Sequence, residues 1–415
     1  MSARYGLLGE KLGHSFSPQI HRELGGYEYA LMEVAREDLS AFFGARDFEA
    51  INVTIPYKQA VLPWMDSLSE AARKIGCVNT VVKDASGALH GFNTDYYGFT
   101  QMVHRSCIAV AGRKCLVLGS GGASRTVCTV LRDLGAAEIV VISRRGPDNY
   151  ENIARHADAR VIVNATPVGM FPHNGVAPVS LSAFPRLEGV LDLIYNPART
   201  ALLLQAEARG IPCLNGLYML TAQAKQASEL FRGTHIDDGE IDRITALISA
   251  QTANIVLIGL PGCGKTTVGR LLAERSGRPF IDTDRLVKER AGCTCGDYLR
   301  THGEEAFRQL EAEALREAGM RTGCVIAAGG MLTEPENRDI LRQNGIIFHL
   351  DRPPEALSQS GGRPLSTSPE MRMALRKTQA ASYAAMRDYS VRNEDAETAA
   401  REIERLLEIH WEESR

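Results

Sequence analysis

Short apolar runs alternate with segments of helical period along this chain. Tyr5 to Leu8, Arg113 to Leu118, Glu138 to Ile142, Val190 to Tyr195, Asn254 to Ile258, Val325 to Ala328 and Ile346 to Leu350 read as buried strands. Arg160 to Met170 reads as a strand running into a loop. Ile51 to Lys58 instead alternates apolar and polar residues and meets a proline at 56, and Gly76 to Val82 reads as turn and strand. Helical periods begin near Gln19, at Tyr96, within the glycine turn at 119–122, near Gly216 and at Val268. Strand then helix, repeated, predicts α/β architecture.

Two of the strand-to-helix junctions are rich in glycine. Gly259-Leu260-Pro261-Gly262-Cys263-Gly264-Lys265-Thr266-Thr267 reads G-x-x-x-x-G-K-T between a strand and a helix, the context a P-loop needs. Glycines let backbone N–H groups converge on phosphate oxygens, and the helix N-terminus adds a positive partial charge. Lys265 would reach the β- and γ-phosphates, and Thr266 would ligate Mg²⁺. The next strand, Arg278 to Asp284, ends in Asp282-x-Asp284. Carboxylates there either hold Mg²⁺ and a hydroxyl acceptor or cap a helix. Arg308 lies on the helical stretch 303–311, and Gly361-Gly362-Arg363-Pro364-Leu365 reads as a mobile lid.

The other junction is Gly119-Ser120-Gly121-Gly122-Ala123-Ser124-Arg125, inside a βαβ unit. A carboxylate at the end of its second strand would bind the ribose 2′-OH of NAD. Ser143-Arg144-Arg145 stands there instead. Two guanidiniums can clamp a 2′-phosphate, which argues for NADP; a solvated basic turn is the other reading.

Asn52, Thr54 and Lys58 fall at the polar positions and end of 51–58, and each alone suits a solvated surface. Together, though, a series of polar residues falls at strand ends, where α/β folds build sites: Ser15, Ser17, Thr54, Lys58, Asn79 and Asp95. Ser17, before Pro18, suits a helix N-cap, which leaves Ser15 free. Asp95 either caps the helix from Tyr96 or faces a site.

Composition narrows the class. At 415 residues the chain has room for about two to four domains. A net charge of −3 removes any bulk electrostatic case for nucleic acid. The first residues have no apolar signal core, and no run is long enough to span a membrane. Nine cysteines, with Cys293-Thr294-Cys295 lacking a second pair at zinc spacing, read as reduced thiols in the cytoplasm.

Taken in order, Ser15-x-Ser17, N-V-T-I-P-Y-K at 52–58, V-N-T at 78–80, N-T-D at 93–95, the G-S-G-G-A-S-R turn, N-A-T-P-V-G-M at 164–170 and M-L-x-x-Q at 219–223 resemble shikimate dehydrogenases over residues 1 to about 245. The resemblance implies two α/β domains with the substrate between them. It implies substrate contacts at Ser15, Ser17, Thr54, Lys58, Asn79, Asp95 and Gln223, with Tyr195 beside them. Lys58 and Asp95 become the catalytic pair. NADP would lie on Gly119, Ser120, Gly121, Gly122, Ala123, Ser143, Arg144, Arg145, Asn164 and Thr166. Cys77 and Ser120 stand where the family usually has alanine. In the implied reaction NADPH reduces the ketone of 3-dehydroshikimate, Lys58 supplies the proton, and Asp95 orients Lys58.

Residues 253 to about 410 resemble shikimate kinase. By that resemblance Asp282 supports Mg²⁺, Asp284, Arg308, Gly329 and Gly330 bind shikimate, and Arg363 closes over the phosphates of ATP. Met331 replaces the family's third glycine. Gln379 stands where a carboxylate-binding arginine is usual, and Arg376, three residues earlier, offers a replacement.

The expectation is an α/β chain: a two-domain dehydrogenase with a Rossmann-like NADP domain, fused to a P-loop kinase domain with a parallel sheet. The boundaries expected are 1–102, completed by 219–248, for the substrate domain, 103–218 for the NADP domain and 253–415 for the kinase. Ser249 to Ala253 is expected to be a short polar joint. The partners are small molecules, with neither nucleic acid nor membrane. Two other readings stay open: a quinate/shikimate dehydrogenase fused to another small-polyol kinase, and a metabolite-sensing regulator.

Overall fold

The computed structural model describes residues 4–13, 15–329, 335–353, 357 and 381–413. Among them the apolar runs build three sheets. The first contains β1 (Tyr5–Gly9), β2 (Ala30–Glu33), β3 (Ala50–Val53), β4 (Ser67–Leu68), β5 (Thr80–Lys83) and β6 (Leu89–Phe92), in the order β2-β1-β3-β5-β6-β4. It is mixed: β5 runs antiparallel to both β3 and β6. The second contains β7 (Lys114–Leu118), β8 (Glu138–Ile142), β9 (Val161–Asn164), β10 (Gly189–Asp192) and β11 (Cys213–Asn215), in the order β11-β10-β9-β7-β8, all parallel. The third contains β12 (Asn254–Ile258), β13 (Phe280–Asp282), β14 (Val325–Ala327), β15 (Gly345–Asp351) and β16 (Tyr389–Arg392), in the order β13-β14-β12-β15-β16, also all parallel.

Both parallel sheets place a glycine turn where strand order reverses. β7 lies between β8 and β9, and β12 lies between β14 and β15. Ligands of open α/β sheets bind outside the carboxyl ends of strands at such a point. The burial of these strands follows from helices covering both faces. Every residue of β12 is buried, including Asn254, whose side chain bonds to the Arg321 carbonyl and the Cys324 N–H.

By packing, the chain divides into two units: residues 1–168, 177–195 and 205–245, and residues 169–176, 196–204 and 246–415. Within the first, the helix Thr94–Ser106 packs on the helix Leu217–Arg232. Gly98 permits their approach, because a Cβ there would come within 2.7 Å of the Met219 carbonyl. Ala227 and Phe231 of the same helix pack against Leu7, Tyr29 and Ala50 of the first sheet's region, as its apolar face predicts. The second unit has its own core of β12, β14 and β15 residues with Val268, Leu272 and Ile403. Within it the Arg199 N–H donates to the Gln343 carbonyl at 2.9 Å. No helix among the described residues is long and apolar enough to cross a membrane.

Three local expectations change. The alternating stretch 51–58 is strand only as far as Val53, and Thr54 starts a turn closed by the Tyr57 N–H. All of β3 is buried, so Asn52 is an interior polar residue and not a surface one. The joint at 249–253 is mostly helix: Gly239–Thr252 is continuous, and only Ala253 separates it from β12. Its stripe Ile241, Ile244 and Ile248 is buried, and that apolar face carries the helix through the polar residues that follow. The stretch 303–311 belongs to a longer helix, Cys295–Met320, interrupted at Gly303.

Candidate active sites

At the start of the chain the roles of two serines are exchanged. The helix is Ser17–Gly25, preceded by Phe16, so Ser17 is its first residue and not its cap. The Ser17 N–H donates to Ser15 Oγ at 3.2 Å. The local bond therefore uses the hydroxyl expected to be free, and Ser17 is buried. Thr54 follows β3 with its N–H on the Leu8 carbonyl, half-buried. Tyr195 is half-buried, its ring 5.8 Å from that of Phe16, and burial pushes its phenol up.

Lys58 Nζ donates to Asp95 Oδ2 at 2.6 Å. Asp95 lies in the first turn of the helix Thr94–Ser106, but Asn93 is the cap, its side chain accepting from the Tyr96 N–H. The capping alternative for Asp95 is thus replaced by a charge pair. Asn79 precedes β5, and its Nδ2 lies 3.5 Å from Gln223 Oε1 on the helix Leu217–Arg232. Residues 144 positions apart meet there. A lysine beside a carboxylate, near amides and hydroxyls, can bind a polyol and move a proton at one of its oxygens.

Ser120, Gly121, Gly122 and Ala123 are exposed at the mouth of the helix Gly122–Asp133. Gly119 has φ +102, and a Cβ there would meet Thr166 Cγ2 at 2.8 Å. At Gly121 and Gly122 an added Cβ meets nothing within 4 Å, which leaves room for a diphosphate at the helix N-terminus. Arg144 and Arg145 are exposed beyond β8, and the Ser143 N–H donates to the Asp148 carbonyl. Asn164 is fully buried. Its Nδ2 donates to Asp192 Oδ1 at 3.0 Å and its Oδ1 accepts from the Thr166 N–H and hydroxyl. Its side chain shapes the turn after β9 and has those internal partners.

In the second unit Gly264, at φ +99, leads into the helix Lys265–Ser276. Lys265 is buried, and its Nζ donates to the Gly259 carbonyl at 2.8 Å and the Leu260 carbonyl at 3.2 Å. Pro261 and Gly262 are half-buried, Cys263 is buried and Thr267 is exposed. Thr266 Oγ1 donates to Asp282 Oδ2 at 2.8 Å, so the two expected Mg²⁺ ligands are already together. Asp282 also caps the helix Thr283–Ala291 through the Asp284 N–H, so the capping reading holds for its Oδ1.

Asp284 lies against Gly329, where any Cβ would collide with its carboxylate. The Gly329 N–H donates to Thr283 Oγ1 at 2.8 Å. Arg308 is half-buried and pairs with Glu304 one turn earlier, its Nε 3.1 Å from Glu304 Oε1. Gly330, Met331, Arg363, Arg376 and Gln379 lie outside the described residues. Two residues of this half were missed. Burial, with the nearby Asp284 charge, pushes the Glu311 carboxyl up to about 7 against the opposing pull of Arg308. Its spacing of three from Arg308 on one helix was the available signal. Asn393 Nδ2 donates to the Cys263 carbonyl at 2.6 Å and anchors the loop. Nothing local in the sequence marks that contact, which spans 130 positions.

Residues 7–81 match the family model described as the shikimate dehydrogenase substrate binding domain, and residues 261–409 match that described as shikimate kinase. A shikimate dehydrogenase (NADP(+)) of Clostridium perfringens is 33% identical over 262 residues, covering 58% of this chain and 96% of that protein. The crystal structure of shikimate 5-dehydrogenase from Thermus thermophilus in complex with NADP(H) and shikimate is 32% identical with a TM-score of 0.53, covering 59% of this chain and 98% of that one. Quinate dehydrogenase from Corynebacterium glutamicum in complex with NAD is 31% identical with a TM-score of 0.54, covering 59% of this chain and 98% of that one. The chain belongs to the shikimate dehydrogenase family, and its C-terminal part carries a shikimate kinase domain.

Proposed function

We propose that this chain performs two successive reactions: reduction of 3-dehydroshikimate to shikimate with NADPH, then phosphorylation of shikimate by ATP to shikimate 3-phosphate. The observation that supports this most is the presence in one chain of two chemically distinct sets, Lys58 bonded to Asp95 and Lys265 with the Thr266–Asp282 pair. The product of the first set is the substrate of the second.

In the first reaction, bound NADPH supplies a hydride to the keto carbon. Lys58 gives the proton to the oxygen that gains charge, and Asp95 holds Lys58 in place and accepts from a substrate hydroxyl. Ser15, Ser17, Thr54, Asn79, Gln223 and Tyr195 would orient the ring. Arg144 and Arg145, exposed at the end of β8 in a Ser-Arg-Arg sequence that has no acid, suit a 2′-phosphate. The preference for NADP over NAD is part of the proposal.

In the second reaction, bound ATP with Mg²⁺ supplies the γ-phosphoryl group. A hydroxyl and a carboxylate oxygen are the hard donors Mg²⁺ takes, and Thr266 and Asp282 present both. Lys265 would exchange its backbone carbonyls for phosphate oxygens. Asp284 would accept the proton of the attacking hydroxyl, and Arg308 would pair with the shikimate carboxylate, its planar fork matching two oxygens.

The domain boundaries 1–102 with 219–248, 103–218 and 253–415 carry over as part of this reading. Free cysteines among the described residues suit a reducing compartment, and the cytoplasm is proposed. The test is two separate assays on purified protein: NADP⁺ reduction with shikimate, and ADP formation with shikimate, ATP and Mg²⁺. Both should proceed. Turnover of quinate with NAD⁺ in preference to shikimate with NADP⁺ would replace the first half of the reading, and binding of shikimate without either turnover would favour a sensor.

A further inference from the structure

We propose that Thr80, itself held by Asn52, is a positioning residue that sets Asn79 as a hydrogen-bond donor toward the substrate. The inference rests on the dehydrogenase reading above.

Asn52, Asn79, Thr80 and Thr94 are all buried, so their polar groups need partners inside the protein. The chain of bonds can be followed from an atom with only one role. The backbone carbonyl of Asn79 is an acceptor, and the side chain of Asn52 lies 3.3 Å from it. The atom facing it must be Nδ2. Asn52 Oδ1 then faces Tyr29, whose hydroxyl donates to it at 2.7 Å. The Tyr29 ring is fixed in turn by stacking on His21, with centroids 4.0 Å apart.

Asn52 Nδ2 also donates to Thr80 Oγ1 at 2.9 Å. Having accepted there, the Thr80 hydroxyl has one proton to give, and two oxygens lie 3.1 Å from it, Asn79 Oδ1 and Thr94 Oγ1. We assign that proton to Asn79 Oδ1. The Thr94 N–H donates to the same oxygen at 2.7 Å. The Thr94 hydroxyl also lies 3.2 Å from it, so the groups around Asn79 Oδ1 are all able to donate and mark that atom as the acceptor. Asn79 Nδ2 is left on the other side, 3.1 Å from Thr94 Oγ1 and 3.5 Å from Gln223 Oε1. Gln223 is oriented to match: its Nε2 donates to the Leu220 carbonyl at 3.0 Å, so its oxygen faces Asn79. A reversed Asn79 amide would set N–H groups against the Thr94 N–H and two oxygens against each other.

The longest of these bonds, to Gln223, is the one a ligand can replace most cheaply. A substrate oxygen that accepts from Asn79 Nδ2 fits there, whether hydroxyl or keto. The network also reaches Thr94, the residue before Asp95, so donor direction and catalytic carboxylate share one support. Sequence alone presents Thr80 as an ordinary strand residue. Its role follows from what its hydroxyl touches.

The experiment is steady-state oxidation of shikimate by NADP⁺ with the full chain, as wild type, Thr80→Val, Thr80→Ser and Tyr29→Phe. Wild type must turn over; an inactive wild type overturns the dehydrogenase reading and this inference with it, and is told apart by that control. Thr80→Val keeps shape and removes the hydroxyl. It is expected to raise the KM for shikimate about five- to tenfold while the KM for NADP⁺ stays within about twofold. Thr80→Ser restores the hydroxyl and should recover most of the loss. An unchanged shikimate KM in Thr80→Val, an equal rise in both KM values, or a Thr80→Ser variant as defective as Thr80→Val would each overturn the proposal. If Thr80→Val does not fold, Tyr29→Phe decides: it removes only the hydroxyl that donates to Asn52 Oδ1 and so loosens the amide that holds Thr80. A selective rise in shikimate KM supports the proposal, and an unchanged KM overturns it.

Discussion

The two active sites of this chain differ in how far their charged groups are already committed to the positions the chemistry needs. In the dehydrogenase half Lys58 meets Asp95 at 2.6 Å, and the amides around them have partners that leave their working faces defined. In the kinase half Lys265 bonds to carbonyls of its own loop and Arg308 to Glu304 of its own helix. A buried ammonium must take some partner, and the backbone supplies one. On the proposed reading the first site is preorganised, whereas ligands of the second would have to displace these local bonds, at a cost in affinity.

The comparison breaks most clearly if either lysine is removed. Lys58→Ala should lower shikimate oxidation by on the order of 10²–10⁴-fold, the usual worth of a positioned proton donor, with kinase activity within about twofold. Lys265→Ala should do the reverse. Loss of both activities in either folded variant would contradict separate sites.

The next largest effect concerns the cofactor. Each charge-assisted contact to a 2′-phosphate is worth about 1.5–3 kcal/mol. Arg144→Ala with Arg145→Ala should therefore raise the NADPH KM by on the order of tens- to hundreds-fold and leave NADH little altered. Equal changes for both cofactors would return the pair to the solvated-turn reading.

Gly329 sharpens the kinase side. Gly329→Ala would drive a methyl into the Asp284 carboxylate, so the kinase KM for shikimate should rise by about tenfold or more, the scale of a lost charged contact. The KM for ATP should stay near wild type. A matching rise for ATP would mean the whole loop had moved.

The smallest effect is a pH step. Burial holds the Glu311 carboxyl near 7, so it is neutral below that pH and charged above it. Its raised value favours the folded state at low pH, and that contribution is lost as pH rises through about 7. On the proposed reading, the charged form would also draw on Arg308 and so compete with the substrate carboxylate. The kinase KM for shikimate should rise a few-fold across pH 6–8, on the order of one weak ion pair, and Glu311→Gln should flatten the profile. A step that persists in the variant assigns it elsewhere.

The central parallel strands and both glycine turns were legible because their runs are apolar and continuous, whereas the short edge strands β11 and β16 were missed. The motif residues Lys58 and Asp95 were legible as a pair only through the family resemblance, since 37 positions separate them. Ser17 was misread because a serine before proline suits a cap, yet Phe16 takes that place and Ser15 makes the bond. Asn52 was read as a polar-face residue because period two assigns alternate residues to water. In a sheet covered on both faces that assignment fails, and the polar residue must find internal partners. Residues 249–253 were read as a joint because they are polar, whereas the isoleucines before them carry a single helix through residue 252. The contacts of Thr80, Glu311 and Asn393 are set by tertiary packing, which local pattern does not encode.

One measurement tests the central claim most directly. Purified full-length protein is given 3-dehydroshikimate, ATP and Mg²⁺, and NADPH is added last while NADPH loss and ADP formation are followed together. Two linked active sites predict that ADP forms only after NADPH is supplied, with shikimate 3-phosphate as the final product and shikimate transient before it. NADPH loss without ADP, while the protein stays folded, would contradict the kinase. ADP formed from 3-dehydroshikimate before NADPH is added would contradict the order of the two reactions.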